Sequence, residues 1–178
     1  MSPVILRNGS LVGLWRVNGP NGDPLSASHA MWSIQLVTAR NWKDPSTYVL
    51  EHTDLFPDVG VVEDPHVYLD EDGYFHALFH HETGCPAVSW GGGSNCGGHA
   101  FSADGRTWLY PWINGSAYPQ NASLVDGSVA EFTARQRPHM VLGPDGVTPV
   151  AVTNGVGLLG AGGKGGDHMF TFLQPIRQ

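Results

Sequence analysis

Charge is scarce in this sequence, and so are cysteine, long apolar runs and helical periodicity. Only 14% of the residues are charged and the net charge is −7, with no basic stripe, so nucleic acid is not an expected partner. No apolar run reaches the roughly eighteen residues that a membrane-spanning helix needs. Helical spacing of apolar residues never persists long enough to argue for a helix. Met1-Ser2-Pro3 does not read as a signal peptide, and any targeting segment is expected to lie outside this stretch. Cysteine is limited to Cys85 and Cys96, close together in a Gly-rich segment.

What is abundant is turn chemistry. Gly 24 and Pro 13 describe a β protein with many reversals. Glu63-Asp64-Pro65-His66-Val67-Tyr68-Leu69 and Tyr74-Phe75-His76-Ala77-Leu78-Phe79-His80-His81 are aromatic and β-branched runs, joined by the acidic Asp70-Glu71-Asp72-Gly73 turn. That pattern predicts an antiparallel hairpin. The same plan, a proline, a short apolar strand, an Asn-Gly or Asp-Gly turn and a second strand, returns from Pro3 to Trp15 and from Pro138 to Val152. The spacing of Pro3, Pro65 and Pro138 leaves room for two further strands per unit. Radial repetition of four-stranded sheets is a β-propeller.

At these residues the chain resembles the five-bladed propellers of the family 43 and family 32 glycoside hydrolases, and a family 43-like group in particular. The resemblance rests on Glu63-Asp64-Pro65 with its hairpin ending in Phe79-His80-His81, on Cys96 to Trp108, on Arg135-Gln136-Arg137-Pro138, on Asn154-Gly155-Val156 and on Phe172 to Ile176. It implies an all-β fold, a partial β-propeller of about three four-stranded blades of a five-bladed architecture. The units are expected at about 3–54, 55–117 and 133–178, with about two N-terminal blades of the family missing. The resemblance also implies a core role for Trp42, which follows the Thr38-Ala39 end of a third strand. Ser102 to Trp108 resembles the Asp-box of sialidases, in which the Asp binds turn amides and the Trp packs beneath, so Asp104 is expected to be structural.

An inverting glycosidase needs a carboxylate base and a carboxylic acid far enough apart to admit water. By resemblance, Asp64 occupies the position that tunes the acid and orients the sugar. Gln136 falls where the family-like group carries the acid, and an amide cannot donate that proton, so catalysis is expected to be impaired. Glu131 is too far upstream to substitute. His66, His76, His80, His81, His99 and His139 lie on or beside the predicted inner strands, and alternation directs His66, His80 and His99 toward one channel. Sugar contacts are expected from His66, His80, His81, His99, Gln136, Arg137 and Asn154, with satisfied structural histidines as the competing reading. An oligo- or polysaccharide is the expected ligand. The other reading is a non-catalytic structural or adhesive subunit whose open blade edges pair with other chains or copies.

Three sequons, at Asn8, Asn114 and Asn121, fall at predicted turns or loops. With Cys85 and Cys96 they fit a secreted glycoprotein with one local disulfide, against an intracellular protein with two free thiols. Cys85, Cys96, His99 and His81 lack the Cys-x2-Cys knuckle of zinc sites, so no metal and no cofactor is assigned. The Gly-rich stretch from Gly155 to Gly166 is not a phosphate loop: no Ser or Thr follows Lys164, and the leading Gly of that motif falls on Leu158.

Overall fold

The computed structural model describes residues 1–18, 32–52, 54–57, 59, 61–81, 96–111, 116–158 and 169–176. Among them the protein is all-β, apart from one 3-10 turn at Pro45–Thr47. Strands β1 (Ser2–Ile5), β2 (Leu11–Asn18), β3 (Trp32–Ala39) and β4 (Tyr48–His52) form a four-stranded sheet in sequence order. Strands β5 (Val62–Leu69), β6 (Phe75–His81) and β7 (Cys96–Ser102) form a second sheet, and β10 (Ala134–Leu142), β11 (Pro149–Gly157) and β12 (Met169–Pro175) a third. A small hairpin, β8 (Ala122–Ser123) with β9 (Val129–Ala130), stands between the last two. Every pairing is antiparallel between sequence neighbours.

The three expected hairpins are present, and each turn forms by the same means. At the second, the Asp70 carboxylate accepts from Tyr74 N and Gly73 N donates to Asp70 O, while Gly73 takes φ 84°, a conformation that needs no Cβ. At the third, Asp145 Oδ1 accepts from the amides of Val147 and Thr148. Among the described residues, four strands per unit hold only for the first sheet. In the second, the segment after β7 returns through single bridges, Phe101 to Leu109 and Gly97 to Tyr118, in place of a full ladder. The turn before Leu109 is closed as an Asp-box: Asp104 Oδ1 accepts from Arg106 N and Thr107 N, and Trp108 Nε1 donates to Gly105 O.

The sheets are layered like a fan. Val12, Leu14, Ile34 and Leu36 of the first sheet pack against Val62, Val67, Phe75, Ala77, Phe79 and Ala100 of the second. On the opposite face of the second, Tyr68 and Leu78 meet Met140, flanked by Leu142 and Val152, of the third. The middle sheet is therefore covered on both sides, and β5, the leading strand of its unit, lies next to both β1 and β10. Three meandering sheets whose first strands adjoin are the arrangement of propeller blades.

One expectation fails. Trp42 is 42% exposed with the Lys43 ammonium over its ring, because the turn after β3 swings it to the surface instead of under the sheet. β3 does not alternate: from Ser33 to Ala39 every residue is buried. Of its polar members, Gln35 is satisfied by Trp15 Nε1 and Thr38 by Glu51, whereas Ser33 Oγ is buried with no hydrogen-bond partner among the described residues.

Candidate functional site

The leading strands β5 and β10 share an irregularity at the same place. Pairing of β5 with β6 skips between Glu63 and His66, and that of β10 with β11 between Gln136 and His139. The skipped residues are Asp64-Pro65 and Arg137-Pro138. Proline has no N–H for the ladder, and at both bulges the residue before it is left-handed. Asp64 (φ 51°) and Arg137 (φ 52°) are the two non-glycine residues with positive φ among the described residues. Each such residue costs on the order of 1–2 kcal/mol, and an observed outlier of this kind points toward function.

The two bulges bring Asp64 and Arg137 together, with Nε of Arg137 3.7 Å from Asp64 Oδ2. Around them lies an open pocket of about 510 Å³, lined by Ser2 and Pro3 of β1, by Arg16, and by the residues from Asp64 to Val67 and from Arg137 to His139. All three leading strands thus contribute their proline segment. Burial pushes the Asp64 carboxyl up, the neighbouring Glu63 charge adds to this, and Arg137 and Arg16 oppose it.

Glu63 was not singled out from the sequence, yet it anchors the site. Its carboxylate is buried, with Oε2 2.5 Å from Arg16 Nη1 and Oε1 3.1 Å from His80 Nδ1. Burial alone would raise it, but the bonds from His80 and Arg16 outweigh burial and hold it below the ordinary carboxylate range. Arg16 in turn lies 5.0 Å from the Trp32 ring. Glu63 is therefore held as an anion, whereas Asp64 is the carboxyl pushed toward its protonated form.

The predicted contact residues divide into three places. His66 lines the Asp64 pocket, stacked at 3.8 Å on His139, its pKa lowered to about 4 by burial and then by His139. Ser2 Oγ accepts from Val67 N and lies 3.4 Å from His66 Nδ1, tying β1 to β5. His80 and His81 are fully buried; His80 bonds Glu63, and His81 Nε2 lies 2.5 Å from Val59 O. His80 pairs with Glu63 directly across the β5–β6 ladder, so its ring is buried against that carboxylate. Gln136 is partly buried opposite Gly155, with its backbone oxygen accepting from Asn154 Nδ2, and it is not among the residues lining the Asp64 pocket.

His99 lines a second pocket, of about 460 Å³, together with the buried Arg135; Asn154 is outside that lining and its Oδ1 accepts from Arg135 Nε. A row of rings, His139, His66, Tyr68, His76 and His99, runs between the two pockets. Asn8 is exposed in the first hairpin turn, and Asn121 is partly buried with its Oδ1 accepting from Phe132 N. Asn114 and Cys85 lie outside the described residues; Cys96 is buried and is not a free thiol. Among the described residues no group of three His, Cys, Asp or Glu is placed to hold a metal ion, and no helix is long and apolar enough to cross a membrane.

The class defined by these features is an all-β, propeller-like protein with a charged pocket where its leading strands meet. No family model matches the sequence, and no curated protein does. Two solved structures are similar in fold. A protein of unknown function from Dyadobacter fermentans aligns with TM-score 0.48 and 16% identity over 98% of this chain and 52% of its own. A thermostable family-43 glycoside hydrolase aligns with TM-score 0.43 and 12% identity over 99% of this chain and 70% of its own. The chain spans about half the length of the first of these.

Proposed function

We propose that this is a carbohydrate-handling propeller of the family 43 glycoside hydrolase type that binds an oligo- or polysaccharide at the Asp64 pocket. The observation that carries the reading is the paired bulge: two strained residues of opposite charge, Asp64 and Arg137, aimed into one open cleft. A partly desolvated carboxyl beside a guanidinium can accept from one sugar hydroxyl while the guanidinium donates to the next. Hydrolysis needs a second titratable carboxyl across the sugar. Glu63 is held ionised by Arg16 and by its bond from His80, and Gln136 carries an amide, so the chain described here binds without cleaving.

Secretion, with glycans on Asn8, Asn114 and Asn121 and a disulfide between Cys85 and Cys96, is part of the same proposal. It is supported by the exposure of Asn8 and by the absence of a free thiol at Cys96.

Calorimetric titration with neutral oligosaccharides of plant and algal walls tests the binding step. Saturable heat that disappears in Asp64→Ala is expected; no heat with any of the panel would sink the reading. A non-catalytic adhesive role has its own support in β12, an edge strand that exposes Met169, Phe170 and Leu173. Sedimentation showing only monomers at high concentration would dispose of that alternative.

A further inference from the structure

Arg135 is 1% exposed and is among the largest fully buried side chains of the described residues. Its bonds all run to neutral acceptors: Nε to Asn154 Oδ1 at 2.9 Å, Nη1 to Pro119 O at 3.2 Å and Nη2 to Gln174 Oε1 at 2.7 Å. A guanidinium carries five N–H donors, so two are left over. Tyr118 lies 4.6 Å and Phe172 5.5 Å from its carbon. Among the described residues no Asp or Glu forms an ion pair with it. Burial lowers its pKa, but only to about 10, so the buried cation persists at neutral pH. Proteins seldom bury a charge without an opposite one, because desolvation is then uncompensated.

The guanidinium borders the second pocket, of about 460 Å³, whose other walls include the apolar Leu78, Met140 and Val152 and the ring of His99. His99 ends a hydrogen-bonded chain: Asp70 Oδ2 is 3.0 Å from His76 Nε2, and His76 Nδ1 is 2.9 Å from His99 Nε2. With Asp70 ionised, the tautomers that satisfy both bonds put a proton on His76 Nε2 and another on His99 Nε2. His99 Nδ1 is then an acceptor, and burial followed by the His76 neighbour keeps the ring neutral, with a pKa of about 4. The pocket thus combines an unneutralised guanidinium with an uncharged acceptor.

We propose that this pocket binds a hydroxylated carboxylate, with the acid group on Arg135 and a hydroxyl donating to His99. The carboxylate takes the place of the Gln174 amide oxygen on Nη2; Gln174 lies on the edge strand β12 and is only partly buried. A carboxylate matches the guanidinium fork, whereas a single amide oxygen meets only one prong. The proposal is independent of the reading of the Asp64 pocket.

The chemistry has two sources, a free hydroxy acid or a uronic acid sugar, and L-lactate and D-glucuronate separate them, with D-glucose as the neutral control. Thermal shift and calorimetry on the intact chain at pH 7 are expected to show a saturable rise in Tm with an acid and none with glucose. A response to both acids assigns any hydroxy acid; a response to glucuronate alone assigns the sugar acid. Arg135→Met should weaken binding by about tenfold or more. Should that variant fail to fold, Gln174→Glu serves instead: it supplies the carboxylate internally, so Tm should rise and the response to added acid should vanish. No response to either acid, an equal response to glucose, or a lowered Tm in Gln174→Glu would overturn the proposal.

Discussion

Asp64 and Arg137 share one backbone conformation, φ 51° and 52°, at the corresponding point of successive repeats, and their side chains meet across the junction of the two sheets. The repeat therefore supplies the geometry, and the unit-specific residue supplies the sign of the charge. This suggests a set of measurements on the pocket and its supports.

Glu63 is the support with most to lose. Removing it leaves the fully buried His80 ring without its carboxylate and the Arg16 guanidinium without its anchor. Glu63→Ala is expected to cost about 3 kcal/mol, read as a lower denaturant midpoint at unchanged m-value. A change below about 0.5 kcal/mol would mean that water replaces the carboxylate without penalty.

Asp64 behaves in the opposite sense. Its folded pKa lies above the unfolded value, so the folded state holds the proton more tightly, and stability falls as pH rises through the window between the two. Asp64→Asn removes that titration, and Asn tolerates the left-handed conformation. The variant should be more stable than the parent at pH 7, and the difference should shrink toward pH 3. A gain that is the same at both pH values would contradict the assignment of burial as the cause.

His66 and His99 set a second pH window. Both are held near pKa 4, chiefly by burial, so below about pH 6.5 the unfolded chain takes up protons that the folded one refuses. Stability is expected to be complete above that pH and to fall between about 6.5 and 4, by as much as ~3 kcal/mol per ring. Urea titrations at half-unit pH steps will show it. His66→Phe should make the slope shallower by one ring's share.

Gly98 tests the packing of the middle sheet. A Cβ on Gly98 would overlap the Phe79 ring, and one on the adjacent Gly97 would overlap Tyr118. Phe79 is fully buried in the main core, so it has no room to retreat. Gly98→Ala should destabilise by about 1–3 kcal/mol, whereas Gly127→Ala, in an open turn with φ 84° and nothing near its Cβ position, should lose only about 1 kcal/mol to backbone strain.

Much of this architecture was legible because hairpins are local. Asn8-Gly9, Asp72-Gly73 and Asp145-Gly146 announce their turns, and the flanking runs are long enough to register as strands. Asp126-Gly127 carries the same signal, yet the hairpin it closes, β8 with β9, has two residues on each side, too few to show a period. The site was legible by halves. Prolines and rings mark Asp64, His66 and Arg137, whereas Glu63 and Arg135 look in the sequence like flanking residues. What distinguishes those two is their surroundings, Arg16 and His80 for the one and Asn154 and Gln174 for the other, and such neighbours come from distant segments that no window of sequence contains. Trp42 shows the converse error: a large ring suggests a core, but one turn decides which way it faces.

The kinks that aim Asp64 and Arg137 belong to the innermost strands and not to the connections at the rim. Outer connections can consequently lengthen, shorten or be exchanged among descendants without re-aiming the two charges, so that remodelling the rim and keeping the charged pair in place become separable evolutionary problems.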